Sequence, residues 1–403
     1  MTEPDPYADD PFFRRVFDGR WNACIGRQGE EEHYLDGYIE AAIELVDAII
    51  EKKLFAKRDT LVLPILYNAR HAMELALKFA TDRLVECSVL NNSGIRRDHD
   101  IGTYWNRLHE ADIGDEKLRT VIAGLKPFVE SVSRIDADGQ ELRYHRNRNN
   151  EPSLSKYSVV NLTLIQESLR DLEGLLRDLK HRSVDFVNEL ATGACTRRCS
   201  RSDLLEIARM IPPYKDWSTQ AFKDQKEEVK ARFQLSSGKL SDAINLIRNN
   251  REMSAIVGIE SNLLHITDDE LIWVVEQWRR IHPCRPERDN GDEDLGMMWS
   301  FDKFMEYENK ISKIYNDITN EINERLSSDA IADLEVIFYM ARDNVFSEYY
   351  LQNVKMKQAD YANIGGLHEK IRHLLEKTNL LMCLQKGARM LGRSVLAQRL
   401  MTI

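Results

Sequence analysis

Six cysteines are scattered along 403 residues, without the dense spacing of a disulfide-stapled domain. A small secreted scaffold is thereby excluded, and free thiols in a reducing compartment are expected. Glycine and proline are sparse, at 19 and 10, and they collect between periodic segments. No run of about 18 apolar residues occurs, so no membrane span and no membrane partner are expected. The acidic start of the chain lacks the apolar core of a secretory signal, which points to a cytoplasmic location. No phosphate-binding glycine loop is present: Gly365-Gly366 and the pair Gly387 and Gly392 lack the lysine and the strand context. A Gly-x-Ser-x-Gly elbow and a His-Glu-x-x-His motif are also missing. A P-loop ATPase, a serine hydrolase and a zinc protease are therefore disfavoured.

What is present is helical period. Hydrophobic residues make up 43% and charged residues 30%, as in a soluble globular chain long enough for two or three cores. Tyr38, Ala42, Leu45 and Ile49 mark one helix. Leu66, Ala69, Met73, Ala76, Leu77 and Ala80 mark a second. Ile165, Leu169, Leu172, Leu176 and Leu179 mark a long one that runs to about Ala191. A polar excursion, residues 134–157, precedes it. After a break at 195–199, a helix is expected near Ser202 and Asp203 with Glu206 completing its cap, stopped at Ile211-Pro212-Pro213. Helices near 240–247 and 268–281 follow, the second opened by a capping box from Thr267 to Glu270. Two prolines, a glycine and five acids make 282–294 the expected linker. Long helices are expected near 301–326, 329–350 and 379–400. The expectation is an all-α protein in three parts: 1–190, 191–290 and 291–403.

The densest chemistry lies in the segment 143–150. Three arginines (Arg143, Arg146, Arg148), His145 and three asparagines, Asn147 among them, fall within eight residues of a chain of net charge −10. Cations crowded in this way repel one another unless an anion, most commonly phosphate, offsets the cost. The plainer alternative is a solvated loop whose arginines pair with Asp136, Asp138 and Glu141. On the second helix Arg70, Glu74 and Lys78 share one stripe at i, i+4, i+8, beside the apolar face, with His71 next to it. That stripe is expected to face the 143–148 loop and orient it, or else to be a surface charge ladder.

The segment Leu63–Lys78 resembles the second helix of HEPN domains, which are four-helix bundles found in prokaryotic toxin–antitoxin, abortive-infection and CRISPR-linked systems. His99-Asp100-Ile101 resembles the His-Asp-Leu that opens the next helix there. The stretch Gln140 to Tyr144 resembles a Phe-Arg-Tyr-Pro turn of HEPN-like proteins. The resemblance covers about 33–190. It implies an RNA-directed protein acting in defence or as a toxin, on single-stranded RNA or tRNA, with two copies meeting through the bundle. HEPN ribonucleases carry Arg-x4–6-His near the last helix. Here Arg143 is followed by His145 one residue on, and the one spacing match, Arg27 to His33, lies upstream of the first helix. The implied alternatives are a metal-independent endoribonuclease and a non-catalytic module that dimerises or holds a protein partner. In the first, Arg143 stabilises phosphate and His145 is acid or base, with Arg70 and Glu74 completing the centre. Arg146, Asn147, Arg148, His71 and Lys78 contact neighbouring phosphates. Such chemistry needs no cofactor and no metal.

Three further groups carry residue types of functional interest. Cys195, Cys199, His282 and Cys284 are zinc-ligand types at poor spacing, and free thiols fit better. Lys386, Arg389, Arg393 and Arg399 form a cationic terminal helix, expected to dock and offset acids elsewhere. Trp273, Trp278, Trp299, Phe338-Tyr339 and Tyr349-Tyr350 fit core contacts rather than base-stacking platforms.

Overall fold

The computed structural model describes residues 10–14, 18–26, 31–92, 98–147, 149–283, 301–362 and 367–403, with backbone alone at 301–308. Among them the protein is all-α. The only strand-like feature is one antiparallel bridge between Arg146 and Pro152. The chain divides into two compact units, Met1–Ala111 with Lys117–Val184, and Asp112–Glu116 with Asp185–Ile403.

In the first unit, α1 (Glu31–Glu51) carries Glu31 and Glu32 in its first turn, where the exposed amides favour negative charge. It buries Leu35, Ile39, Ala42, Ile43, Val46 and Ile49. α2 (Arg58–Glu86) is the central rod. Its buried set, from Ile65 to Leu84, spreads around more than one stripe and includes Arg70, Glu74 and Thr81. α3 (Ile101–Glu110) starts at Asp100, whose carboxylate accepts from the amides of Gly102 and Thr103, as an N-cap should. α4 (Glu116–Gly124) and α5 (Lys126–Ile135) follow, and Trp105 of α3 donates its indole N–H to the Ile122 carbonyl at 2.7 Å. α6 (Leu162–Ala191) begins in this unit and ends at Ala191, where the apolar period stops. It is tied to α1 by Lys180 to Asp36 (2.6 Å) and Arg170 to Asp47 (2.5 Å).

The second unit contains α7 (Arg201–Met210), α8 (Gln220–Phe233), α9 (Ser237–Asn249), α10 (Arg251–Ile256) and α11 (Asp268–Ile281). It continues with α12 (Phe301–Arg325), α13 (Ser328–Asp343), α14 (Tyr350–Ala362), α15 (His368–Leu375), α16 (Leu380–Met390) and α17 (Ser394–Leu400). One apolar cluster runs from Ala194 to Val257, and another from Leu263 to Leu400. The second is centred on α13, which is buried almost throughout and carries two buried acids. Asp333 accepts the amides of His265 (2.7 Å) and Ile266 (3.1 Å) and the Tyr350 hydroxyl. Glu335 accepts the Tyr361 hydroxyl.

Several expected boundaries move. α7 is capped by Ser200 with Asp203, not by Ser202 with Glu206; Ser202 instead donates to Glu189 and Glu206 pairs with Arg232. The expected helix 329–350 stops at Asn344, whose left-handed φ of 55° closes α13. The expected helix 379–400 breaks at Gly392 (φ 71°), where an added β-carbon would stand 2.7 Å from the Arg251 carbonyl oxygen. The box of Thr267 and Glu270 is formed as expected. The linker 282–294 lies outside the described residues from position 284 on.

Candidate functional site

The excursion between α5 and α6 is closed by its own polar atoms. α5 ends at Asp136, which is fully buried. The Asp136 carboxylate accepts the amides of Glu141 (3.1 Å) and Leu142 (3.3 Å). Glu141 in turn accepts from the Asn147 side-chain amide (3.2 Å) and from the Leu154 amide (2.9 Å). Asn147 also accepts the amides of Asn149 and Glu151 through its side-chain oxygen. The Ser153 amide donates to the His145 carbonyl at 2.9 Å. Asx-type bonds of this sort give a loop a fixed shape without secondary structure.

Arg70 fixes the base of the loop. It is 1% exposed and its neighbour Glu74 2% exposed. Its Nε donates to the Asp136 carbonyl (3.0 Å), Nη1 to Glu74 (2.9 Å), and Nη2 to the carbonyls of His99 (2.6 Å) and Ala137 (3.3 Å). A buried guanidinium is tolerated only when its donors are met in this way. Gly139 makes room for it: φ is +80°, and an added β-carbon would stand 3.2 Å from Arg70 Nη1. Glu74 also accepts from Lys78 (2.7 Å) and faces His99 Nδ1 at 2.8 Å. Burial alone would raise the Glu74 carboxyl; hydrogen bonds from Lys78 and His99 outweigh it and hold the pKa down to about 2.

The stripe expected beside the apolar face is thus inside the protein at Arg70 and Glu74. Helical period places a residue on a face, but which faces are covered depends on the loops that close over them. Arg70 reaches the basic loop through backbone carbonyls and the Asp136 carboxylate (3.6 Å), not through the arginines. Neither it nor Glu74 is open to solvent.

Above this base lies an exposed surface. Arg143 donates its Nε to the Gly139 carbonyl at 2.7 Å. Its guanidinium lies 5.8 Å from the Tyr67 ring centre and 5.2 Å from that of Tyr144. Tyr67 stacks on His71 one helical turn on (5.7 Å, 7°), and Tyr38 meets the His71 ring edge-to-face at 4.4 Å. Burial holds the His71 imidazole below its ordinary pKa; Glu74 opposes this and Arg70 and Lys78 add to it. That shift favours the neutral ring. Neither His71 nitrogen has a hydrogen-bond partner among the described residues, and neither Arg143 nor Arg146 has a carboxylate partner there. The acids 136 and 141 bind backbone and side-chain amides instead of these arginines.

The remaining expected residues are placed as follows. Arg146 is exposed and donates to the Asn150 carbonyl at 2.7 Å. His145 is exposed, and its side chain makes no contact of this kind among the described residues. The Asn147 side chain is occupied within the loop. Lys78 is held by Glu74 and lies 5.5 Å from the Tyr104 ring centre. Arg148 lies outside the described residues, as does Arg27 of the upstream spacing match. The structure so links Arg143 and His71 through Tyr67, which lies against both, and adds Tyr38 and His99 around His71 and Glu74; none of these three was expected as a site residue. The i, i+4 spacing of Tyr67 and His71 was the available signal for the first of these.

The other groups are structural in their contacts. Cys199 is buried, burial raises the Cys195 thiol pKa, and His282 Nε2 lies 2.8 Å from the Leu375 carbonyl; Cys284 is outside the described residues. Arg393 pairs with Glu260 and Asp268, and Arg399 with Asp269, so the terminal helix docks on acids ahead of and within α11. Trp278, Phe338 and Tyr350 are buried, and Trp299 is outside the described residues. Among the described residues no helix is long and apolar enough to cross a membrane. Compared with protein-family models, with curated proteins and with solved structures, the chain has no match.

Proposed function

We propose that the first unit is a HEPN-like domain that grips single-stranded RNA at the Arg143–Tyr67–His71 surface and cleaves it without metal. One observation carries the reading. In a chain with ten surplus acids, the Arg143 guanidinium is fixed by a single carbonyl bond and has no carboxylate partner among the described residues, and the Tyr67 ring it lies against also stacks on His71, whose imidazole has no hydrogen bond there. A planar guanidinium suits a phosphate, and tyrosines at its side suit unstacked bases.

In this mechanism Arg143 binds the scissile phosphate. His71 takes the 2′-hydroxyl proton as the 2′-oxygen attacks phosphorus. The bond to the 5′-oxygen breaks, and that oxygen leaves with a proton from His145 or water. A 2′,3′-cyclic phosphate and a 5′-hydroxyl result. Arg70 and Glu74 are positioning residues that hold the loop under Arg143. A toxin or anti-phage role, cytoplasmic location and pairing of two copies accompany the family reading.

The alternative is a non-catalytic module that dimerises or holds a protein partner, favoured by the unanchored His145 side chain. Labelled single-stranded RNA and tRNA incubated without metal separate the two. Cleavage is expected to be lost in Arg143→Ala and His71→Ala. For the wild type its rate is expected to rise with pH to a midpoint below 6.5, because a base must be unprotonated and burial lowers this one. RNA binding without cleavage would remove the nuclease, and neither binding nor cleavage would remove RNA as the ligand and leave the module that dimerises or holds a protein partner.

A further inference from the structure

The second unit has a cavity of about 330 Å³ between α8 and α9. Lys226, Lys230 and Arg248 reach it, with Ser237, Ser241 and Asn245 as polar walls and Trp217, Phe222, Leu240 and Ile244 as apolar ones. Glu227 is the one acid in its lining, and it is bound to Lys230 at 2.6 Å. Lys226 lies 4.8 Å from the Phe222 ring centre and has no acid partner among the described residues. Arg248 has no partner of any kind among them. Elsewhere in this unit arginines are commonly paired: Arg201, Arg232, Arg280, Arg342, Arg372, Arg393 and Arg399 each hold a carboxylate.

Two cations left unpaired at one cavity, in an acidic chain, point to an anion. The cavity volume suits a small molecule, not a polymer. Hydroxyl and amide groups sharing a lining with an indole suit a ligand with both a phosphate and a flat body. Trp217 is held for such a role: its indole N–H donates to the Pro212 carbonyl at 2.9 Å, and Phe222 stacks on it at 5.1 Å and 8°.

We propose that this cavity binds a nucleoside monophosphate, with Lys226 and Arg248 on the phosphate and Trp217 and Ile244 against the base. It is independent of the RNA reading of the first unit. The test is titration calorimetry on the full chain with AMP, GMP, UMP, adenosine and inorganic phosphate. At least one nucleotide is expected to bind saturably, and more tightly than adenosine or phosphate. Arg248→Gln and Lys226→Met are each expected to weaken it about tenfold, the loss of one charge-assisted contact. Both variants keep their apolar stems, and unchanged thermal unfolding checks that they fold. Arg143→Ala is expected to leave the affinity unchanged. No nucleotide binding by wild type, equal binding by the two variants, or phosphate bound as tightly as nucleotide would overturn the assignment.

Discussion

Glu74 shows how a buried carboxylate can stay charged. It is shut from water, which favours the neutral form, yet Lys78, His99 and Arg70 surround it with donors. The outcome is a pKa of about 2 against 4.5. A carboxyl depressed in the folded state contributes stability that is full above its unfolded pKa and lost as pH falls through the folded one. The window is therefore about pH 4.5 down to about 2, and the contribution is on the order of 3 kcal/mol. Glu74→Gln is expected to lower thermal stability at pH 7 and to flatten its fall in that acid window. A variant as stable as wild type at pH 7, with the same acid profile, would show that the carboxylate is not held in this way. His71, 4.4 Å from the Tyr38 ring of α1 and 5.7 Å from the Tyr67 ring of α2, illustrates the opposite balance: burial outweighs Glu74 and favours the neutral ring.

At the scale of elements, the loop 136–157 is an extension of α2 through Arg70. The guanidinium takes two carbonyls at its start, and the Asp136 carboxylate repeats the motif one step out by taking two amides. Gly139 is the hinge of this joint. A side chain there meets both a left-handed backbone and the Arg70 guanidinium. Gly139→Ala is expected to cost about 1–3 kcal/mol and to lower the melting temperature by roughly 3–8 °C. RNA affinity is expected to fall with it, since Arg143 hangs from the Gly139 carbonyl. An unchanged melting temperature with lost RNA affinity would place the effect in the loop alone; both unchanged would refute the joint. Much of this level was legible beforehand. Helical period located α1, α2, α6, α9 and α11, and the Thr267 box fixed a start. Caps competing within three residues were not legible: Ser200 and Ser202 both fit, and tertiary contacts of Glu189 and Arg232 decided between them. Asn344 as a helix stop was missed, because asparagine visits the left-handed region without a sequence signal as strong as glycine's. Asn147 looked like a ligand residue and is a turn residue, a distinction that depends on where Glu141 and Glu151 lie. The burial of Arg70 and Glu74 escaped notice because it depends on a loop sixty residues on closing over them.

Taken as a whole, the molecule sets 66 acidic side chains against 56 basic ones. A polyanion approaching it meets repulsion over most of the surface, so any RNA affinity must come from a few local cations and from stacking. This separates two kinds of binder by salt alone. A protein that neutralises many phosphates shows a steep fall of affinity with salt, while each phosphate contact to a single strand contributes about 0.7 to the slope of log K against log salt. Arg143, Arg146 and Lys156 are the exposed cations of the loop without carboxylates among the described residues, so a shallow slope of about −1 to −2 is expected, with the stacking part insensitive to salt. Arg143→Ala is expected to make the slope shallower by about 0.7, whereas Tyr67→Ala should weaken binding at every salt concentration with the slope unchanged. Fluorescence anisotropy with a labelled single strand between low and physiological salt reads both quantities. A slope that is steep, or that Arg143→Ala leaves as it was, would mean that the nucleic acid is held by some other surface of this acidic chain.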